Sequence, residues 1–199
     1  MAIADSEPVQ KVRKALKDAG LDDGVIELDA PLESAAEAAK TLKTEPGAIV
    51  QTLVYAIGKR LVMALIAGDR AAIEENLPAV FFLEGEVSKP SDAEIRGITG
   101  FTADCVPPVG PKHQLPTVMD RSLKRFENVY ALAGDPQCVF KIPVTDLKRL
   151  TGAIVSWNVA QPPEGEAEVE MPPLARNKTF SGERDAPEAP DAPGGEGAD

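Results

Sequence analysis

Residues 48–68 read AIVQTLVYAIGKRLVMALIAG and predict the hairpin around which the fold is built. Two apolar runs flank Gly58-Lys59, a two-residue connection typical of antiparallel strands. The second run is apolar on both faces, which predicts a central position in a sheet. In the first run side chains alternate between faces, so Gln51 shares a face with Ile49 and Leu53. An amide among apolar side chains on this strand requires an explanation.

Helical and strand patterns flank this hairpin without a strict βαβ repeat. Apolar residues at helical spacing predict amphipathic helices at 8–20, between Ser6 and Gly20, and at 32–43. The further predicted elements are a helix near 70–77, a strand at 80–83, a helix opened by the capping box Ser91–Glu94, strands at 117–119, 128–132 and 137–142, a helix at 145–150 and a strand at 153–159. Together they predict an α+β fold, a single compact domain with a mixed, mostly antiparallel central sheet packed with helices.

Length and charge indicate one domain followed by an acidic tail. Of the net charge of -11 over 199 residues, residues 161–199 carry -7 (ten acidic against three basic residues), which leaves -4 for residues 1–160. We expect 1–160 to form the domain and 161–199, rich in Pro, Gly and acids, to be disordered; an acidic tail that contacts a basic partner is the alternative. With no secretory segment and no run near the ~18 apolar residues of a spanning helix, we expect a cytoplasmic protein without a membrane partner.

Motifs of high catalytic specificity do not occur in the sequence: it has no P-loop, no G-x-G-x-x-G, no H-E-x-x-H and no G-x-S-x-G. Cys105 and Cys138 are too few for a disulfide scaffold and lack the close pairing of a zinc site, so we expect reduced thiols. His113, the single histidine, is expected to be exposed in a loop. A thiol-dependent hydrolase built on Cys105 is an alternative, because a cysteine and a histidine share this segment.

The segment from Gly100 to Pro116, GFTADCVPPVGPKHQLP, predicts a long and stiff loop because it holds four prolines and two glycines. Its stretch Val106–Gly110 would hold backbone donors rigid beside a ligand carbonyl or an oxyanion. An ordinary structural proline turn is the alternative.

Six ordered segments of the chain resemble the YbaK family, the editing domains associated with prolyl-tRNA synthetase and their free-standing relatives. The segments are KTLKTEPGAIVQTLVY, LVMALIAGDR, TGFTADCVPPVG, LPTVMDRSL, VYALAGD and TDLKRL, and the resemblance spans about residues 8–158. It implies a compact α+β domain that accepts the aminoacylated 3′ end of a tRNA and hydrolyses the ester when the amino acid is wrong. It implies no metal and no other cofactor.

The resemblance also implies where the site lies. In relatives a lysine in the first hairpin strand is an active-site residue, and a loop of pattern G-x-x-x-P shapes the substrate pocket. The lysine position falls on Gln51, and the loop falls on Asp104–Pro108, where Pro108 is kept and Asp104 replaces the glycine. With Gln51 at the catalytic position, the substrate-binding residues are expected to be Thr52, Asp104, Cys105, Val106, Pro107, Pro108, Asp120 and Gly134. A cap on a helix at 121–126 is an equal alternative for Asp120.

Both departures from the family pattern bear on catalysis. A glutamine supplies neutral donors and an acceptor where an ammonium would supply charge, and losing such a group typically removes ~3 kcal/mol of transition-state stabilisation, about a hundredfold in rate. The Asp104 carboxylate would repel anionic groups and attract an ammonium. The leading hypothesis is a trans-acting aminoacyl-tRNA deacylase with altered specificity or reduced rate. The alternative is a catalytically silent module that binds aminoacyl-tRNA, an amino acid derivative or a protein.

The charge of residues 1–160 limits the tRNA contact. A net of -4 argues against a large phosphate footprint, whereas recognition of the 3′ end alone needs few basic residues. The local bases that could supply them are Lys40, Lys43, Lys59, Arg60, Lys112, Arg121, Lys124 and Arg125.

Overall fold

The predicted hairpin forms the centre of a mixed sheet in a computed structural model, which describes residues 3–32 and 34–162. The strands of this part are β1 (Val25–Glu27), β2 (Ile49–Ile57), β3 (Arg60–Ala67), β4 (Ala71–Ala72), β5 (Val87–Ser88), β6 (Thr117–Asp120), β7 (Asn128–Asp135), β8 (Cys138–Pro143), β9 (Ile154–Ser156) and β10 (Ala160–Gln161). Its α-helices are α1 (Glu7–Asp18), α2 (Ala35–Leu42), α3 (Leu77–Phe81), α4 (Asp92–Thr99) and α5 (Val144–Thr151). The disorder expected beyond residue 162 lies outside the described residues.

The order of the main sheet is β1-β8-β7-β2-β3-β6-β9, and β5 pairs with the last two residues of β2, Ala56 and Ile57. Antiparallel pairs join β1 to β8, β8 to β7, β2 to β3 and β2 to β5, whereas β2–β7, β3–β6 and β6–β9 are parallel. Strand β3 lies between β2 and β6, as its apolar faces predicted. The α+β class with a mixed, mostly antiparallel sheet is therefore confirmed.

Alternation along β2 assigns its side chains to two layers. Val50 belongs to a large core with Val12 of α1 and with residues of α4, α5 and the 101–116 loop, and we call this side of the sheet the α1 face. Tyr55 and Ile57 point the other way, into a smaller core with Leu77 of α3, and we call that side the α3 face. Even-numbered residues of β2 thus face α1 and odd-numbered residues face α3.

Helix ends follow local chemistry where the sequence carries a cap. In α4 the Ser91 hydroxyl accepts a hydrogen bond from the Glu94 N–H at 3.3 Å, and the Glu94 carboxylate accepts one from the Ser91 N–H at 2.8 Å. This confirms the predicted capping box. The end of α1 is also as predicted, because Gly20 has a φ of +75° immediately after the C-cap residue Ala19.

The sequence was misleading between residues 70 and 83. Instead of a helix near 70–77, Ala71–Ala72 pair with Ala160–Gln161, a long-range contact that no local pattern shows. The run at 80–83, predicted as a strand, is the end of α3 and the turn after it, where Phe82 has a φ of +53°. A short apolar run fits either period, and Pro78 in the first turn favours the helix.

Two further boundaries differ from expectation. Helix α2 begins at Ala35 rather than near 32, because the Ser34 hydroxyl accepts a hydrogen bond from the Glu37 N–H and caps it there. The single strand predicted at 153–159 is divided, since β9 pairs with β6 and the chain then turns so that β10 pairs with β4. Strand partners, which lie far away in sequence, decide that division.

Strand β7 leaves β2 after only two paired residues, Ile49 with Tyr130 and Val50 with Ala131. The register of β7 against β8 shifts between Leu132 and Asp135, and within this irregularity Gly134 has a φ of +87°. A bulge of this kind bends the strand that carries it. The bend explains why β7 does not pair with β2 directly after Val50, and β7 ends at Asp135, too early to reach Ile57.

Gly134 combines a left-handed φ with close packing, so we predict a larger cost for Gly134→Ala than for Gly20→Ala. An added Cβ would lie 2.8 Å from Cε1 of Phe101 at Gly134, but within 4 Å of no atom at Gly20. Gly20→Ala should lower the free energy of unfolding by about 1 kcal/mol through its φ alone, and Gly134→Ala by about 2–4 kcal/mol. Urea unfolding measures both values, and equal losses would contradict the packing constraint.

Candidate functional site

A gap opens beside the middle of β2, between its two short pairings on the side away from β3. Ile49 and Val50 pair with β7, and Ala56 and Ile57 pair with β5, but no strand of the described part pairs with Gln51–Tyr55 on this side. We call this space the β2 gap. Residues 51–54 are partly exposed although β2 is central, whereas residues 62–67 of the adjacent β3 are buried. The β2 gap is therefore accessible from outside.

The backbone of β2 directs polar groups into the β2 gap. Residues that flank a two-residue hairpin turn form a hydrogen-bonded pair, and this parity makes the odd-numbered residues of β2 bond to β3. A hydrogen bond at Ile49 confirms this parity, because the Ile49 carbonyl accepts from the Gly68 N–H at 2.8 Å. Thr52 and Val54 consequently point their N–H and C=O groups toward the β2 gap. Fixed backbone donors of this kind suit a carbonyl oxygen or an oxyanion.

The Gln51 amide on the α3 face ties β2 to the turn that follows β3. Its Nε2 donates hydrogen bonds to the Ala67 carbonyl at 3.2 Å and to the Arg70 carbonyl at 3.3 Å. A primary amide has two N–H donors, and both are used here, so only the acceptor Oε1 is left for a substrate. The polar residue on this strand face thus has a structural partner, and its remaining chemistry is that of an acceptor.

Thr52 faces the opposite side of the sheet, toward α1. Its hydroxyl oxygen is buried and has no hydrogen-bond partner within the described residues. A buried polar atom without a partner is uncommon and often marks a place for a ligand or water. Thr52 therefore directs its backbone groups toward the β2 gap, and its unpaired hydroxyl lies buried on the α1 face.

The loop 104–108 packs on the α1 face. Val106 belongs to the same core as Val50, Pro107 is buried, and the ring of Phe101 lies against Gly134. Thr52, this loop and Gly134 are therefore on one side of the sheet, whereas the Gln51 side chain lies on the other. The family pattern led us to expect that the 104–108 loop faces Gln51 across one cleft. The structure places them on opposite sides of the sheet, so the assignment of both to a single site is wrong.

Individual loop positions differ in exposure. Asp104 is exposed in a 3-10 turn, Ala103–Cys105, whereas Cys105 and Pro108 are buried. Pro108 and Met63 line a cavity of about 260 Å³ on the α1 face. The Thr117 hydroxyl, which is part of the lining, donates a hydrogen bond to the Leu115 carbonyl at 2.9 Å.

Asp120 is buried and caps the turn after β6. One carboxylate oxygen accepts a hydrogen bond from the Ser122 N–H at 2.9 Å, and the other accepts one from the Ser122 hydroxyl. The capping role given as an alternative is therefore present, on a 3-10 turn, Arg121–Arg125, instead of an α-helix. A substrate role for Asp120 stays a prediction.

The cysteines are free thiols in buried positions, and His113 is exposed. Burial, with smaller contributions from Asp135 and Asp104, raises the pKa of the Cys105 thiol above its ordinary value, and burial raises that of Cys138 to about 11. A nucleophilic cysteine needs the thiolate, which a lowered pKa favours. The pKa of Cys105 is shifted in the opposite direction.

The sequence did not predict two contacts among the turns that follow β3, β6 and β9. The Arg125 guanidinium pairs with the Asp69 carboxylate at 2.7 Å, and the backbone of Gly47 leaves the space, since a Cβ there would lie 2.7 Å from Arg125. Arg121 stacks on the ring of Trp157 at 3.6 Å. Gly47, in PGAI, is the one local signal of the first contact. The second depends on the parallel pairing of β6 with β9.

Groups of His, Cys, Asp and Glu that could hold a metal ion do not occur among the described residues. The same part of the chain has no helix that is long and apolar enough to cross a membrane.

Comparison with known proteins agrees with this architecture. The sequence profile of the aminoacyl-tRNA editing domain matches residues 29–150. A crystal structure described as that of a proposed trans-editing enzyme for prolyl-tRNA synthetase is 30% identical, has a TM-score of 0.72 and aligns over 78% of this chain and 98% of its own. A scaffold protein from computational epitope grafting is 29% identical, with a TM-score of 0.72 and coverage of 78% and 98%. A search of curated proteins finds no match.

A third solved structure, of the hypothetical protein APE2540, is 26% identical with a TM-score of 0.68, and the alignment covers 76% of this chain and 99% of that one. The profile match spans more than half of the chain and includes β2, the β2 gap and the 104–108 loop. The chain belongs to the aminoacyl-tRNA editing domain family. The resemblance drawn from the six segments is thereby confirmed.

The hydrogen bonds of Gln51 predict a stability cost for its removal. Gln51→Leu should lower the free energy of unfolding by about 1–2 kcal/mol, because the Ala67 and Arg70 carbonyls lose their donor. Gln10→Leu is the matched control, since Gln10 makes one exposed bond to the Ala4 carbonyl. Urea unfolding of both variants checks this, and a cost for Gln51→Leu no larger than for Gln10→Leu would show that the turn does not depend on the amide.

The raised pKa of Cys105 predicts an unreactive thiol. Because the neutral form is favoured, thiolate absorbance at 240 nm should develop only above the ordinary cysteine pKa of ~8.5, and iodoacetamide should label the native chain slowly at pH 7.5. Any hydrolysis of aminoacyl esters should survive Cys105→Ala. Loss of hydrolysis in a folded Cys105→Ala protein would instead support the thiol-dependent alternative.

Proposed function

We propose that this protein is a trans-acting aminoacyl-tRNA deacylase that hydrolyses the ester of mischarged tRNA. Membership of the editing domain family supports the substrate class. The observation that carries the proposal is the β2 gap, where an accessible strand edge with unpaired backbone groups coincides with the family lysine position, Gln51. In this proposal the aminoacyl ester enters the β2 gap.

The chemistry available there is polarisation and positioning. The ester carbonyl would accept hydrogen bonds from backbone N–H groups of Thr52 or Val54, which are held rigid by the pairing of β2 with β3. Water adds to the carbonyl carbon, the oxyanion is stabilised by those donors, and the ribose oxygen leaves with a proton, which gives free amino acid and tRNA. Gln51 Oε1 can accept a hydrogen bond from the attacking water and orient it.

Proton transfer is the part that this chain supplies least well. Gln51 carries no charge and does not titrate, so it is no general base. Burial and the adjacent Glu74 carboxylate raise the pKa of Tyr55 to about 12, so the phenol stays protonated at neutral pH. A low rate of hydrolysis follows from this set of groups.

A catalytically silent binding module is the second candidate. The observation that favours it is the engagement of both Gln51 N–H donors by the Ala67 and Arg70 carbonyls. The β2 gap would then hold the aminoacyl end, or an amino acid derivative, without accelerating its hydrolysis.

Single-turnover deacylation of a panel of mischarged tRNAs separates the two candidates. The wild type should hydrolyse at least one member above the spontaneous rate, and Gln51→Lys should raise that rate about a hundredfold, since an ammonium restores charge beside the ester. Gln10→Lys adds the same charge on exposed α1 and should leave the rate unchanged.

Two results would count against an active editing enzyme. If the wild type hydrolyses no member of the panel faster than buffer does, the deacylase proposal fails. If Gln51→Lys then gains activity, the silent module is the correct account, with an intact site that lacks its charged group.

A further inference from the structure

The carboxyl ends of three parallel strands meet at one edge of the sheet. Strands β3, β6 and β9 are parallel neighbours, and β2, antiparallel to β3, begins at the same edge. The Gln51 side chain donates a hydrogen bond to the turn after β3. Arg125, in the turn after β6, forms an ion pair with Asp69 in the turn after β3. The turns after β3, β6 and β9 therefore form one continuous rim beside the start of β2.

Trp157, whose ring stacks with the Arg121 guanidinium, lies at the end of this rim farthest from β2. Asp120 pairs with Ser156, so Arg121 and Trp157 are the next residues of the two strands, and the guanidinium lies 3.6 Å from the ring centroid. Although Arg121 covers part of the ring, 42% of Trp157 stays exposed. A tryptophan held in place by its neighbour and open to solvent is suited to stack on a flat partner.

The charge of the rim differs from that of the rest of the chain. Arg121 and Lys124 are exposed, and no ion pair of the described residues includes either of them. Two carboxylates of the rim have partners within it, Asp69 with Arg125 and Asp120 with Ser122. Two exposed cations beside an exposed aromatic ring stand out in a protein with a net charge of -11.

We propose that the Arg121–Trp157 pair, with Lys124, is the surface that binds the single-stranded 3′ end of the tRNA, with a base stacked on Trp157 and phosphates near Arg121 and Lys124. Single-stranded RNA offers both partners, since every base has a flat face and every nucleotide carries a phosphate. Few phosphate contacts are needed, in keeping with the acidity of the chain. This surface rests on the proposed function for its partner, and it lies on the same rim as the turn to which Gln51 bonds.

Trp157 is the single tryptophan of the chain, so its fluorescence reports directly on the surface. The probe is an RNA hairpin without an attached amino acid that carries an acceptor stem and its single-stranded 3′ end. A blunt hairpin without that end is the RNA control. The first RNA should quench the fluorescence of the full-length wild type on binding, and the blunt hairpin should bind more weakly. Because this RNA carries no aminoacyl ester, its binding is measured without any hydrolysis.

Variants test the assignment by fluorescence anisotropy of labelled RNA. Trp157→Ala should raise the Kd roughly 5- to 100-fold, Trp157→Phe much less because the ring is kept, and Arg121→Ala should reduce the slope of log Kd against log salt by about 0.7. The matched controls are Ile154→Ala, an exposed apolar residue of the same edge strand, and Lys89→Ala, an exposed base next to β5, which pairs with the opposite end of β2. Both should bind the RNA as the wild type does, and circular dichroism checks the fold of each variant.

Three results would overturn this surface: an unchanged Kd for folded Trp157→Ala and Arg121→Ala, equal binding of the blunt hairpin, or a fluorescence change that depends on protein concentration without RNA, which would indicate contact between copies. Deacylation with an unchanged Kd in Trp157→Ala would reject the surface and leave the proposed function standing. RNA binding through Trp157 without hydrolysis of any ester would support the surface and reject the proposed deacylase function.

Discussion

Hydrogen-bond pairing of the β2 backbone is the constraint on which the site depends. A central strand normally pairs along both edges, because buried peptide groups without partners are costly. Here β2 pairs with β3 along its length, but on its other edge it pairs with β7 and with β5 only at its two ends. The bulge at Gly134 bends β7 away, and the peptide groups of Thr52 and Val54 are left at an accessible position. The same bend that interrupts the sheet creates the place where a ligand can complete it.

The Gln51 side chain has a structural role at the position where the family resemblance implies a lysine. Its two N–H groups bind the carbonyls of Ala67 and Arg70, so the turn after β3 is held to β2. That turn also carries Asp69, whose carboxylate holds Arg125 and with it the segment after β6. An amide fulfils this structural role without a charge, but it brings no positive potential to an ester or a phosphate. The fold of an editing domain therefore accommodates an amide at this position.

Patterns confined to neighbouring residues gave the most accurate predictions. The hairpin around Gly58-Lys59, the capping box of α4 and the irregular loop after Gly100 depend on contacts within a few residues, and each is present. The errors fall where a distant partner decides. The segment at 70–77 was predicted as a helix because its strand partner, β10, lies about ninety residues further along the chain. The family pattern named Gln51, Thr52 and Gly134, but it did not show on which face of the sheet each would act.

The sequence by itself determined the α+β class, the central hairpin and the family, because alternation, turn residues and ordered motifs are local and additive properties. Only the tertiary structure decided that Gln51 and the 104–108 loop lie on opposite faces of the sheet and that β2 has an unpaired edge. It also brought Arg121 onto Trp157. These features arise from strand partners and a bulge, and therefore from contacts between residues that are far apart in the chain, where a local pattern carries no information.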